Sequence, residues 1–182
     1  MRRNLAFFLF NLCMAYNANG DTAGKDSFLK PENYREWIYI GTGLTPNDLN
    51  DGAANFPEFH NVYINPKAWR AWKVKGEFID GTVIVKELIN VGSHQAMTGK
   101  GYFQGEYTGV IGIAVKNKKW FTTEPGNWGY FVFDQSSNIH TRATPQETNS
   151  CAACHLAHAA TDLVFSQYYP VLRAAKPSNE KP

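Results

Sequence analysis

Cys151-Ala152-Ala153-Cys154-His155 carries the clearest chemistry in the sequence. Two cysteines separated by two residues and followed at once by histidine are the signature of c-type haem attachment. Each thiol forms a thioether with one haem vinyl group, and the adjacent imidazole reaches the iron from one side as its proximal ligand. The other readings of this spacing are a redox dithiol, a structural disulfide or half of a zinc site. Zinc would want a second ligand pair at suitable spacing, and a redox dithiol has no need of the histidine.

The third cysteine, Cys13, belongs to a different segment. Met1-Arg2-Arg3 gives a positive start, Leu5 to Met14 an apolar run, and Ala18-Asn19-Gly20 a small-x-small cleavage site before Asp21. Residues 1–20 therefore read as a secretory signal peptide cleaved near Gly20-Asp21, which predicts a periplasmic protein. The apolar run is shorter than the roughly 20 residues a bilayer span needs, so no membrane span is expected after signal removal. Loss of Arg2 and Arg3 lowers the basic count from 18 to 16, against 16 acidic residues, so the mature chain is formally neutral. That balance argues against a nucleic-acid footprint.

Occupancy of the sixth iron position separates a carrier from a reactive site. Met97 is the only methionine of the mature chain, and it lies in the polar turn Gly92 to Gly99, a poor mount for a rigid ligand. His60, His94 and His140 remain candidates, whereas His158 stands one helical turn after His155 and cannot swing to the opposite haem face. The balance favours an open or water-filled distal position.

These residues need a scaffold, and the sequence predicts an α+β domain over residues 21–182, ordered from about 27 to 176, with no repeat or domain break. A helix is expected at Lys30 to Trp37 and a short amphipathic one at Pro66 to Lys75, each with proline near its start. Phe59 to Ile64, Gly81 to Val91, Gly101 to Val115 and Trp128 to Phe133 are rich in β-branched and aromatic residues, and the last three are bounded by Gly, Asn and Asp. They predict an antiparallel sheet flanked by helices. A single c-type haem would pack against this sheet, with its attachment motif on a C-terminal helix running on to Leu172.

One residue of the predicted sheet is out of place. Period two puts Lys86 on a face with Ile84 and Leu88, while Val83, Val85 and Ile89 share the other with Glu87. A lysine among apolar side chains either loses its proton and becomes a nucleophile, or finds an acid or a route to water at a sheet edge.

Several separated stretches together resemble the cytochrome P-460 family. They are Lys30 to Trp37, Glu77 to Leu88, Glu124-Pro125-Gly126-Asn127-Trp128, the attachment motif, and Tyr169 to Lys176. The resemblance spans Ser27 to Lys176 and keeps the family's order. It implies a β-rich periplasmic homodimer with one five-coordinate haem c per chain, related to cytochrome c-prime-beta. In catalytic members of the family a lysine nitrogen is also crosslinked to a haem meso carbon, and the matching position is Lys86.

The activity implied is oxidation of hydroxylamine, with nitric oxide chemistry, to nitrous oxide or nitrite, and a soluble cytochrome c as electron acceptor. Such a reaction needs a base near the iron. By resemblance the candidate acids are Glu147 and Glu106. The chain departs from the family at His60, where its best-known members carry arginine, so a fixed charge and fork are replaced by a titratable ring. The alternative is a gas-binding protein of the cytochrome c-prime-beta type, for which Phe56 and Phe59 beside His60 would cap the pocket. A plain electron carrier is the third.

Overall fold

Val83–Val91 is apolar on both faces apart from Lys86, Glu87 and Asn90, and it forms the middle strand of a five-stranded antiparallel sheet. The computed structural model describes residues 24–137, 139 and 141–177. The predicted export segment with Cys13, and the distal candidate His140, lie outside the described residues. In chain order the strands are β1 (Phe28–Leu29), β2 (Ile38–Leu44), β3 (Phe59–Ile64), β4 (Val83–Val91), β5 (Gln95–Ala96), β6 (Gly99–Lys100), β7 (Gln104–Lys116), β8 (Trp128–Asp134) and β9 (Arg142–Ala143). The helices are α1 (Pro66–Lys75), α2 (Cys151–His158) and α3 (Pro170–Ala175). The main sheet runs β2-β3-β4-β7-β8, while β1 with β9 and β5 with β6 form separate two-stranded pairs.

Register fixes what each face carries. Lys86 stands opposite Val62 of β3 and Gly112 of β7, and Ile84 opposite Ile64 and Ala114. This face, with Trp128 and Tyr130 of β8, packs on Ala68 and Trp72 of α1, Ala152 of α2 and Leu172 of α3. The Trp72 indole N–H, fully buried, donates to the Leu172 carbonyl at 2.9 Å and ties α1 to α3. The opposite face is a second core of Val85, Ile111, Ile113, Val115, Phe131 and Phe133 beneath Tyr34 and Phe121. Glu87 points into that second core and accepts hydrogen bonds from the Tyr34 hydroxyl and Arg35 Nε, each at 2.7 Å.

The α+β architecture with an antiparallel sheet is as the sequence predicts, and β3 and α1 have the expected bounds. Pro66 opens α1, and Gly76, left-handed at φ 67°, closes it by donating to the Trp72 carbonyl. Three local expectations are corrected. Lys30 to Trp37 forms only one 3-10 turn at Tyr34–Glu36, because Tyr34 and Arg35 turn inward to Glu87. β2 has no counterpart among the predicted strands. The C-terminal helix ends at His158, where Ala159 turns to extended backbone, and after the left-handed pair Asp162 and Leu163, at φ 46° and 59°, a separate α3 starts at Pro170.

Candidate functional site

The helix-packed face of the sheet brings the attachment motif and Lys86 together. Helix α2 begins at Cys151 and buries Ala152 against the sheet. Cys151 is half-buried, Cys154 is exposed, and their sulfurs are not joined to each other. His155 donates from Nδ1 to the Leu163 carbonyl at 2.7 Å, which fixes the tautomer and leaves Nε2 as the free ligating atom. Its ring lies between Tyr130 and Phe165, each 4.7 Å away between centroids. Burial pushes the His155 pKa below its ordinary value; the Leu163 carbonyl opposes this and the Lys86 charge adds to it.

Lys86 occupies the centre of this face. Burial lowers its pKa, while Cys151, Glu58 and Cys154 act in the opposite direction. Its Nζ lies 4.1 Å from the centre of the Phe56 ring. Phe56 is itself left-handed at φ 60°, and its carbonyl accepts hydrogen bonds from His60 Nε2 at 3.0 Å and the Thr45 hydroxyl at 2.9 Å. His60 thus has one ring nitrogen committed to holding Phe56 in place. Its pKa is lowered by burial and by Lys86, against the Phe56 carbonyl and Glu58.

The carboxylate acting on both Lys86 and His60 is Glu58, which no sequence motif singles out. Its Oε2 is buried and has no hydrogen-bond partner among the described residues. Glu58 also lines an open cleft of about 460 Å³ with Asp48, Asn90, His94 and Tyr102. The nearest sequence signal is its position two residues before His60.

Other expected residues are dispersed. Glu106 and Glu147 are exposed, and neither is among the charges acting on Lys86, His60 or His155. Phe59 pairs with Ile89, so alternation turns it to the face opposite His60 and away from Lys86. Met97 is fully exposed at the tip of the β5–β6 hairpin. His94 packs on Tyr102 at 5.2 Å beside the cleft, and His158 is exposed at the end of α2.

Two thiols and a histidine with Nε2 free, beside a partly desolvated amine on one sheet face, fit a haem joined at its vinyl groups and bound from below by imidazole. Among the described residues no group of three His, Cys, Asp or Glu could hold a bare metal ion. The family model for cytochrome P460 matches residues 31–166. The chain belongs to the cytochrome P460 family. It is accordingly a c-type haem protein, and the matched span takes in β2, β4, the Glu124 to Trp128 segment and the attachment motif. No curated protein matches the chain. Among the described residues no helix is long and apolar enough to cross a membrane.

Proposed function

We propose that this member of the cytochrome P460 family is a periplasmic homodimeric enzyme that oxidises hydroxylamine and passes the electrons to a soluble cytochrome c. The observation that carries this reading is the desolvated Lys86 amine, which shares one sheet face with Cys151, Cys154 and His155 and has a buried carboxylate beside it. Cys151 and Cys154 would form the thioether bonds to the haem, His155 would bind its iron, and Lys86 would be a third covalent tether. When bound, the haem would supply an iron able to bind the substrate nitrogen and accept its electrons.

The chain's own residues supply the rest. Leu163 orients His155 through Nδ1, so only Nε2 is presented to the metal. Burial favours the neutral, nucleophilic form of Lys86; an N–C bond to a haem meso carbon would replace one N–H and the meso C–H, with the two protons and two electrons taken up by an oxidant of the peroxide class. Glu58 is the proton acceptor we assign, in preference to Glu106 and Glu147, because its buried oxygen lacks a partner and the same residue borders the open cleft. His60 holds Phe56 in place, in keeping with its Nε2 bond to the Phe56 carbonyl.

A gas-binding role draws support from one observation, the aromatic Phe56 ring lying directly against Lys86. The two readings separate in an anaerobic assay of the loaded protein with hydroxylamine and an oxidised electron acceptor. The enzyme reading expects turnover, with Glu58→Gln reducing the rate about 10²-fold or more while Glu106→Gln and Glu147→Gln stay near the parent. Reversible nitric oxide binding with no turnover by the parent would establish the gas binder instead.

A further inference from the structure

The segment Glu124-Pro125-Gly126-Asn127-Trp128 has no part in the site described above, yet it packs against the turn that orients His155. Lys116, at the end of β7, is only 8% exposed, and three acceptor atoms surround its ammonium. Nζ donates to the Gly126 carbonyl at 2.7 Å and to Asp162 Oδ1 and Oδ2 at 3.0 and 2.8 Å. The Trp128 indole N–H donates to the same carboxylate at 3.4 Å. Asp162 is thereby fixed from two strands of the sheet.

Asp162 and Leu163 are consecutive left-handed residues, a conformation that side chains with a Cβ resist, leucine more than aspartate. The turn closes on itself through the Val164 N–H to the Thr161 carbonyl at 2.8 Å. Its product is the direction of the Leu163 carbonyl, which receives the His155 Nδ1 proton at 2.7 Å. Gly126 faces the same turn: a Cβ there would lie 3.0 Å from Trp128 Cδ1, 3.1 Å from Asp162 Oδ1 and 3.2 Å from Leu163 Cδ1. Its own φ of 60° also requires glycine.

We infer that Lys116 is a positioning residue for the proximal histidine: through Asp162 it holds the left-handed turn that aims the Leu163 carbonyl at His155. A histidine that donates through Nδ1 is a more basic ligand at Nε2 and stabilises ferric over ferrous iron, so this relay lowers the reduction potential. The inference rests on His155 being the axial ligand. It gives the Glu124 to Trp128 segment a task at the iron that its distance along the chain conceals.

The test uses the haem-loaded protein and two variants, Lys116→Met and Gly126→Ala. Spectroelectrochemistry of both variants should show a ferric/ferrous equilibrium shifted toward ferrous by about tenfold, equal to ~59 mV upward for one electron. The iron–histidine stretch in the resonance Raman spectrum of the ferrous form should fall in frequency, and Lys116→Arg should restore both readings toward the parent. Gly126→Ala keeps every charge and disturbs the turn by contact and through the strain of its own left-handed backbone, so it decides the matter if Lys116→Met does not fold. Parental potential and stretch in the folded variants overturn the relay. A parent lacking any iron–histidine band overturns the premise that His155 is the ligand, which is a separate and recognisable failure.

Discussion

The Lys86 ammonium lies 4.1 Å from the centre of the Phe56 ring, and the Phe56 carbonyl in turn is held by His60. An aromatic face attracts a cation but offers no proton acceptor. The ring therefore steadies the ammonium, and burial still lowers its pKa. Burial thus favours the neutral amine, while the Phe56 ring and the Glu58 charge favour the ammonium.

Arginine at this position tests the chemistry of the tether. A guanidinium stays protonated at any working pH, so burial cannot make it a nucleophile. Lys86→Arg should keep haem on Cys151 and Cys154 and lose the third link altogether. Phe56→Ala should lower the crosslinked fraction severalfold, because the long side chain is then free to turn toward water. Peptide mass spectrometry of the haem-carrying fragments checks both. Haem still joined to the β4 peptide of the Lys86→Arg variant would refute the nucleophile account.

His60 predicts a pH dependence of stability. Its folded pKa lies below the ordinary 6.5, chiefly through burial, so between that folded value and 6.5 the unfolded chain binds more protons than the native one. Stability should therefore fall as pH drops through 6.5. Each unit of depression is worth about 1.36 kcal/mol. Replacing the ring by a non-titrating donor, His60→Gln, should flatten the change in urea midpoint between about pH 7.5 and 5.5. An unchanged slope would mean that other groups carry the acid sensitivity.

Much of the scaffold was legible because hydrophobic period and turn residues act locally. Phe59–Ile64 alternates, and Pro66–Lys75 has proline at its start and glycine just past its end, so both elements emerge with their bounds. The attachment motif was legible for a similar reason, since its spacing is covalent geometry. Long-range contacts hid the rest. Glu58 differs from Glu106 and Glu147 in being partly buried and in lying near Lys86, 28 positions away, a proximity made by the fold. The left-handed turn that follows α2 is held by Lys116, far upstream, and no local signal at Asp162-Leu163 announces it. β2 carries Gly41 and Gly43 with a register shift between Tyr39 and Gly41, which breaks the alternation that would have revealed it.

Glu87 makes the opposite choice to its neighbour Lys86. It is 3% exposed and shares its Oε1 among the Tyr34 hydroxyl and two Arg35 nitrogens. Removing the cation leaves a buried carboxylate with only the Tyr34 and Tyr63 phenols for compensation. Arg35→Ala should cost about 2–3 kcal/mol in urea unfolding, a little below the cost of breaking a fully buried pair because Arg35 is 57% exposed. Arg35→Ala combined with Glu87→Gln should recover part of the loss, since the buried charge is then gone. A double variant no more stable than the single one would locate the defect in packing around Tyr34.

Strand β8 couples the second core to the haem side. Tyr130 faces His155, while Gly129, its neighbour on the other face, lies under the edge of Phe121. A Cβ at Gly129 would come within 2.2 Å of Phe121 Cζ, and Phe121 is 4% exposed with Phe131 6.1 Å away, so the ring cannot simply swing out. Gly129→Ala must then displace either the ring or the strand, at a cost of about 1–3 kcal/mol. Phe121→Leu in the same chain removes the ring atoms that clash and should restore most of that loss, although alone it is mildly destabilising. Urea denaturation of the two single variants and the double gives the coupling energy. A value near zero would mean that β8 needs glycine for its own backbone, and the size match between Gly129 and Phe121 would not be what keeps Tyr130 against His155.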